Sequence, residues 1–223
     1  MELFHTLNRG VDKRSIFLDD RDRFRFIHDL YEFNDEARVL DVGYRSKTKT
    51  TLDIASPEVR KRKLLVDIHC FCLMGNHYHL LLSPRVDKGV SRFMKKLNMG
   101  YAKYFNQKYK RTGALFEGRF KSVLVNTETH FIHMPYYIHL NPLDFVSPEW
   151  RNRIVKNPKI AIEFLEKYRW SSFLDYIGKT NFPSVTARSF LLKFFKGSEN
   201  YRTNTLDWIK SMNFSDIRGV TLE

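Results

Sequence analysis

Residues 63–84 read KLLVDIHCFCLMGNHYHLLLSP, two apolar runs joined by a Gly-Asn turn. Each run has the length of a strand, and the turn dipeptide tolerates the backbone angles of a tight reversal. The stretch therefore predicts a β-hairpin, with both strands expected in the middle of a sheet. Alternation along the second strand puts His77 and His79 on one face and Tyr78 and Leu80 on the other. Two imidazoles side by side form a platform for a metal ion, whereas a single strand histidine is usually just a hydrogen-bonded core residue. In the first strand, period two sends His69 to the face opposite Cys70 and Cys72, and the two cysteines are too close along a strand to pair comfortably. A zinc site lacks further ligands there, so the cysteines read as small buried residues.

Working outward, LFHTLNRG near the N-terminus reads as a strand ending at Gly10, followed by the basic loop VDKRSIF. Asp20 is placed to cap a helix over RDRFRFIHDLYEF, with Phe24, Ile27, Leu30 and Tyr31 at helical spacing. From 35 to 60 the chain is polar and without sustained period, and reads as a long, mobile insertion loop. Beyond the hairpin, GVSRFMKKLNMGYAKYFNQKY aligns Val90, Phe93, Met94, Leu97, Tyr101, Tyr104 and Phe105 on one stripe, with Lys95, Lys96 and Lys103 off it. ALFEGRFKSVLV then predicts a fourth strand, and Thr127 caps a third helix that ends where Asn141 and Pro142 break it. The order strand, helix, strand, strand, helix, strand is that of an α+β, ferredoxin-like (RRM-like) antiparallel sheet with helices on one face. IAIEFLEKYRW, ARSFLLKFF and TLDWIKSM add a C-terminal helical extension. The expected division is a catalytic domain over 1–147 and the extension over 148–223.

The third helix bears on the histidine pair. Tyr137 and Asn141 are four residues apart and share a helix face. An amide oxygen at Asn141 would complete a set of two nitrogens and one oxygen, which leaves room for water and phosphate and suits Mg²⁺ or Mn²⁺ better than a closed zinc site. A tyrosine hydroxyl beside such an ion is placed to attack a phosphodiester. Taken alone, Tyr137 reads as a core aromatic. Pro135 removes a backbone donor two residues earlier, and Tyr136 points about 100° away around a regular helix.

Composition sets the class of partner. The 223 residues are 43% hydrophobic, enough for a core, and carry a formal net charge of +13. Clustered cations gain free energy by releasing counterions from phosphates, so nucleic acid is the expected partner. Lys108, Lys110, Arg111, Arg119 and Lys121 lie among aromatic residues, and Arg9, Lys13 and Arg14 flank the first turn. Cations track phosphates while rings stack unpaired bases. No apolar run approaches the ~18 residues of a membrane span, and the polar start MELFHTLNRG lacks a signal peptide's apolar core, so a cytoplasmic protein is expected. GALFEGRF has the glycine spacing of a phosphate loop, but Arg119 and Phe120 stand where Lys and Ser/Thr would be needed, and a nucleotide-triphosphatase is rejected.

The stretches FHTLNRGVDKRSIF, CFCLMGNHYHLLLSP, GYAKYFNQKYKRTGALFEGRFKSVLV, YYIHLNP and YRWSSF, in that order, resemble the IS200-like HUH transposases with one tyrosine, and most closely the REP-associated tyrosine transposases. The resemblance covers most of residues 4–175. It implies a ferredoxin-like fold, His77, His79 and Asn141 as ligands of Mg²⁺ or Mn²⁺, and Tyr137 as nucleophile. It also implies cleavage and rejoining of single-stranded DNA beside a hairpin through a 5′-phosphotyrosine, by a monomer or homodimer. NPLDF departs from the NPVRA-like run usual there. Two rival readings are a domesticated hairpin-binding protein that no longer cuts and a nuclease that uses activated water.

Overall fold

The computed structural model describes residues 1–37 and 62–211. Four strands, β1 (Leu3–Arg9), β2 (Val66–Leu73), β3 (His77–Pro84) and β4 (Lys121–Val125), form one sheet in the order β2-β3-β1-β4. Each neighbouring pair is antiparallel, and the hairpin joins β2 to β3 as the Gly-Asn turn predicts. Helix α1 (Asp20–Glu32) follows β1 and helix α2 (Gly89–Lys108) follows β3, giving the βαββαβ order of the ferredoxin-like plan. Of the insertion expected over 35–60, only Asp35, Glu36 and Ala37 lie among the described residues.

The faces follow from alternation. Phe71, Leu73, Tyr78, Leu80 and Leu82 meet Phe26, Ile27 and Leu30 of α1 and Phe93, Met94, Leu97 and Tyr101 of α2. Two details of α1 differ from the sequence reading. Asp19 is the N-cap, in a reciprocal box with Asp22, and Phe26 occupies the buried stripe where Phe24 was expected. Phe24 instead leans edge-on against Trp170 at 5.1 Å. The buried carboxylate of Asp22 also accepts from Tyr109 at 2.7 Å and from Lys108 at 2.7 Å, tying the start of α1 to the end of α2.

The other face is covered too. Helix α3 (Glu128–Leu140) and the tail helices α4 (Pro158–Leu165), α5 (Phe173–Tyr176), α6 (Ser189–Phe194) and α7 (Ser198–Ser211) pack with Leu3, Cys70, Cys72 and Leu81 in a second core. Residues 148–211 therefore bury the sheet as well as extending it. The expected central position of β2 is corrected: it is an edge strand, and the YRWSSF stretch is clipped along it. Leu73 N donates to Trp170 O at 2.8 Å and Ser172 N to Phe71 O at 3.0 Å, so the edge is covered from within the chain.

A β-bulge between Ile68 and Cys70 breaks the two-residue period that placed His69 opposite the cysteines. His69 Nε2 reaches Ser83 Oγ at 2.8 Å, on the alternation row of Leu81. Both cysteines are free thiols, and burial pushes Cys70 up to about 12. The fourth strand is shorter than ALFEGRFKSVLV implied. Phe116 makes only an isolated bridge to Gly10, and the ladder resumes at Lys121.

Candidate active site

The site lies on the second face of the sheet, where β1, β3 and α3 meet. His77 and His79 point to the same side, with ring centroids 5.0 Å apart, and both are buried. Diagonally across the ladder, where its own partner is Leu81, His5 of β1 stacks on His79 at 5.2 Å, and its Nε2 lies 2.9 Å from His79 Nδ1. His77 Nδ1 is 2.6 Å from Asn76 Oδ1, while Asn76 Nδ2 donates to Lys13 O at 3.0 Å. The turn residue thus couples the basic loop to the first histidine of the pair.

Helix α3 runs through Pro135 as one element, which keeps a regular register across the two tyrosines. Tyr137 faces the sheet. Its ring stands edge-on to His5 at 6.0 Å and to His79 at 5.9 Å, and it is 3% exposed. Tyr136 faces away, stacked on Tyr201 at 4.8 Å and on Trp208 at 5.5 Å, with burial pushing its hydroxyl up to about 12. The 100° between neighbours on a helix accounts for the division.

Asn141 closes α3. Its Nδ2 donates to Tyr137 O at 2.8 Å, and its Oδ1 accepts from Arg151 Nη2 at 2.9 Å, so the two bonds fix which end of the amide carries oxygen. Arg151 Nη1 also donates to the Tyr137 hydroxyl at 3.3 Å. The guanidinium is anchored by Asp144, within NPLDF, through Nε at 2.9 Å and Nη2 at 2.7 Å. Trp150 donates to the same carboxylate at 2.6 Å and packs 6.0 Å from Tyr137.

The donor set fits a divalent ion in its chemistry. Two imidazoles and an amide oxygen are a mixed nitrogen and oxygen set, and in the tautomer in which His79 Nδ1–H donates to His5 Nε2 the lone pair of His79 is on Nε2. Among the described residues no group of three or more His, Cys, Asp or Glu is arranged as a metal site.

The basic residues divide. Arg9 pairs with His77 across the β1–β3 ladder, Lys121 pairs with Leu7, and Lys13 and Arg14 follow from Gly10. All four belong to segments at the histidine end of the sheet. Arg119 and Lys110 are exposed, and Arg111 lies over the Phe105 ring at 5.6 Å. Lys108 is different. Ion pairs with Asp19 and Asp22 at 2.8 and 2.7 Å raise it well above the ordinary lysine range and commit it to the fold.

Residues 45–141 match the family described as "Transposase IS200 like". This stretch is similar to that family. It contains His77, His79, Tyr137 and Asn141, and it ends before Asp144 and Arg151. A solved structure described as "Structure of the REP associates tyrosine transposase bound to a REP hairpin" is 14% identical, with a TM-score of 0.48, over 83% of this chain and 85% of that one. No curated protein matches. Two residues of the site were missed in the sequence. His5 stood in a quoted stretch, FHTLNRG, but its partner His79 is 74 residues away, and Arg151 lies beyond the Pro142 break with no spacing to connect it to Tyr137.

Proposed function

We propose that the protein is a metal-dependent transposase of single-stranded DNA, cutting and rejoining beside a hairpin with Tyr137 as nucleophile. The observation that carries this reading is the meeting of Tyr137 with the His79 ring, itself beside His77, within the stretch that matches the IS200-like family. His77 and His79, with Asn141 Oδ1, would hold Mg²⁺ or Mn²⁺, and such an ion when bound polarises the scissile phosphate. His5 orients His79 through Nδ1, and Asn141 ties the Tyr137 backbone to the end of α3. Tyr137 Oη attacks phosphorus and the bond from phosphorus to the 3′ oxygen breaks. The phenolic proton passes to solvent, and the 3′ oxygen takes up a proton to leave as a hydroxyl. The 5′ phosphate remains on the tyrosine until the 3′ hydroxyl of another strand displaces it.

The burial of Tyr137 favours a second reading, a hairpin-binding protein that no longer cuts. Incubation with hairpin-bearing single-stranded oligonucleotides and Mn²⁺ separates the two. The transposase reading requires a denaturant-resistant protein–DNA adduct that Tyr137→Phe removes while hairpin affinity persists. His77→Ala and His79→Ala should each slow metal-dependent cleavage by about 10²-fold. Tyr136→Phe is the control, since that ring faces the tail. Tight binding with no cleavage under any divalent ion selects the non-cutting protein, and cleavage without an adduct selects activated water.

A further inference from the structure

The guanidinium of Arg151 reaches the Tyr137 hydroxyl. It touches that oxygen at 3.3 Å, and its side chain is 31% exposed where Tyr137 is 3% exposed. An incoming phosphodiester therefore meets Arg151 on its way to Tyr137 Oη. Arg151 is also restrained as a side chain with four rotatable bonds seldom is on a surface. Asp144 grips Nε and Nη2, Asn141 Oδ1 accepts from Nη2, and Trp150 lies under the guanidinium at 4.8 Å. With Nε and Nη2 held by Asp144 and Asn141, Nη1 at the Tyr137 hydroxyl is the nitrogen placed to meet a phosphate oxygen there, at an orientation that a freely rotating lysine ammonium would not keep. Resting on the reading of Tyr137 as nucleophile, we propose that Arg151 is a further catalytic residue. Through Nη1 it takes a non-bridging oxygen of the scissile phosphate as the Tyr137–phosphorus bond forms and the bond to the 3′ oxygen breaks, and Asp144 positions it.

The role has a stated cost and gain. A free arginine would lose rotamer freedom on meeting the phosphate, and the Asp144 pair and the Trp150 ring have already removed that freedom in the folded protein. The charge spread over the phosphoryl oxygens grows as the transfer proceeds, so a donor fixed beforehand acts on the transition state more than on the bound strand. Arg151 should accordingly affect the rate of adduct formation and leave hairpin affinity nearly alone.

The test is single-turnover adduct formation on a hairpin-bearing oligonucleotide with Mn²⁺, with affinity measured on the same DNA. Arg151→Gln is expected to slow adduct formation by about 10²-fold or more with affinity within ~3-fold of native. Arg151→Lys keeps the charge without the fork and should recover only part of the rate, and Asp144→Asn should cost about 10-fold through a loosened Arg151. A neutral methylphosphonate at the scissile position should slow the native protein sharply and Arg151→Gln little further. The urea midpoint of each variant checks folding, and if Arg151→Gln is unfolded the Arg151→Lys and methylphosphonate results decide. Native rates in Arg151→Gln or Arg151→Lys overturn the proposal, as does a loss of affinity that matches the loss of rate, which would make Arg151 a docking contact. If the native protein forms no adduct, the reading of Tyr137 fails. If it forms one that Tyr137→Phe abolishes and Arg151→Gln does not, only the role of Arg151 fails.

Discussion

His139 lies between Tyr201 and Ser172, its Nδ1 2.8 Å from the tyrosine hydroxyl and its Nε2 2.8 Å from Ser172 Oγ. Burial disfavours its charged form and pushes it down to about 3, from an ordinary value near 6.5. Tyr176 and Tyr201, packed against the ring at 5.0 and 5.7 Å, are themselves kept neutral by burial. The sign follows from linkage. Below about 6.5 the unfolded chain binds a proton that the folded chain refuses, so stability is full above that pH and falls as pH drops toward 3. The loss is at most about 1.4 kcal/mol per pH unit from this one group. Urea midpoints measured between pH 7 and pH 4 should fall for the native protein and flatten by up to one proton in His139→Gln. Equal slopes in the two proteins would count against His139 as the titrating group. In the sequence His139 gave no hint of this position, because both of its partners lie more than 30 residues away.

At the scale of elements, the joint between β2, α3 and the tail turns on Ser172. Its Oγ accepts from Phe71 N at 2.9 Å and lies 2.8 Å from His139, while its own N–H donates to Phe71 O. Ser172→Ala strands a buried backbone N–H and a buried imidazole nitrogen. The expected cost is about 2 kcal/mol, read as a lowered urea midpoint with unchanged slope. A midpoint within experimental error of native would show that the edge of β2 does not depend on this clip. The same joint separates what the sequence disclosed from what it did not. The β2–β3 hairpin and the stripe on α2 were legible because alternation and helical spacing are local signals, as were the Thr127 cap of α3 and the end of that helix at Asn141. The bulge at His69, the edge position of β2 and the exchange of Phe24 for Phe26 were not. Each is fixed by a neighbour distant in sequence, such as the YRWSSF stretch lying along β2 or Trp170 drawing Phe24 out of the stripe. In the site, His77, His79, Tyr137 and Asn141 could be named from two short motifs, whereas His5 and Arg151 became visible only when the sheet and the segment after Pro148 brought them together.

For the whole molecule, the sheet puts α1 and α2 on one face and the candidate site with the tail on the other, so the histidine end of the sheet is where the proposed strand has to arrive. The formal charge of +13 is large, but charge enters DNA binding only through cations that reach phosphates. Lys108 is spent on Asp19 and Asp22, whereas among the described residues Arg14 meets one exposed carboxylate, Asp12 at 3.7 Å, and Arg9, Lys13, Lys110, Arg111, Arg119 and Lys121 are held by no pair of carboxylates. If all seven of these contact phosphates of a single strand, the logarithm of affinity should fall against the logarithm of salt with a slope of about −5, steeper where the contacts are to duplex. Each contact removed should lessen the slope by about 0.7 to 0.9. Arg119→Gln and Lys121→Gln are therefore expected to flatten it one step each and to leave the urea midpoint near native. Lys108→Gln should do the reverse, lowering the midpoint through the broken α1–α2 link while the slope stays as it was. Fluorescence titrations of a hairpin oligonucleotide from 50 to 300 mM salt measure the slopes. A slope near zero in the native protein would sink the electrostatic account of binding, and a flattened slope in Lys108→Gln would show that this lysine leaves its carboxylates to meet the DNA.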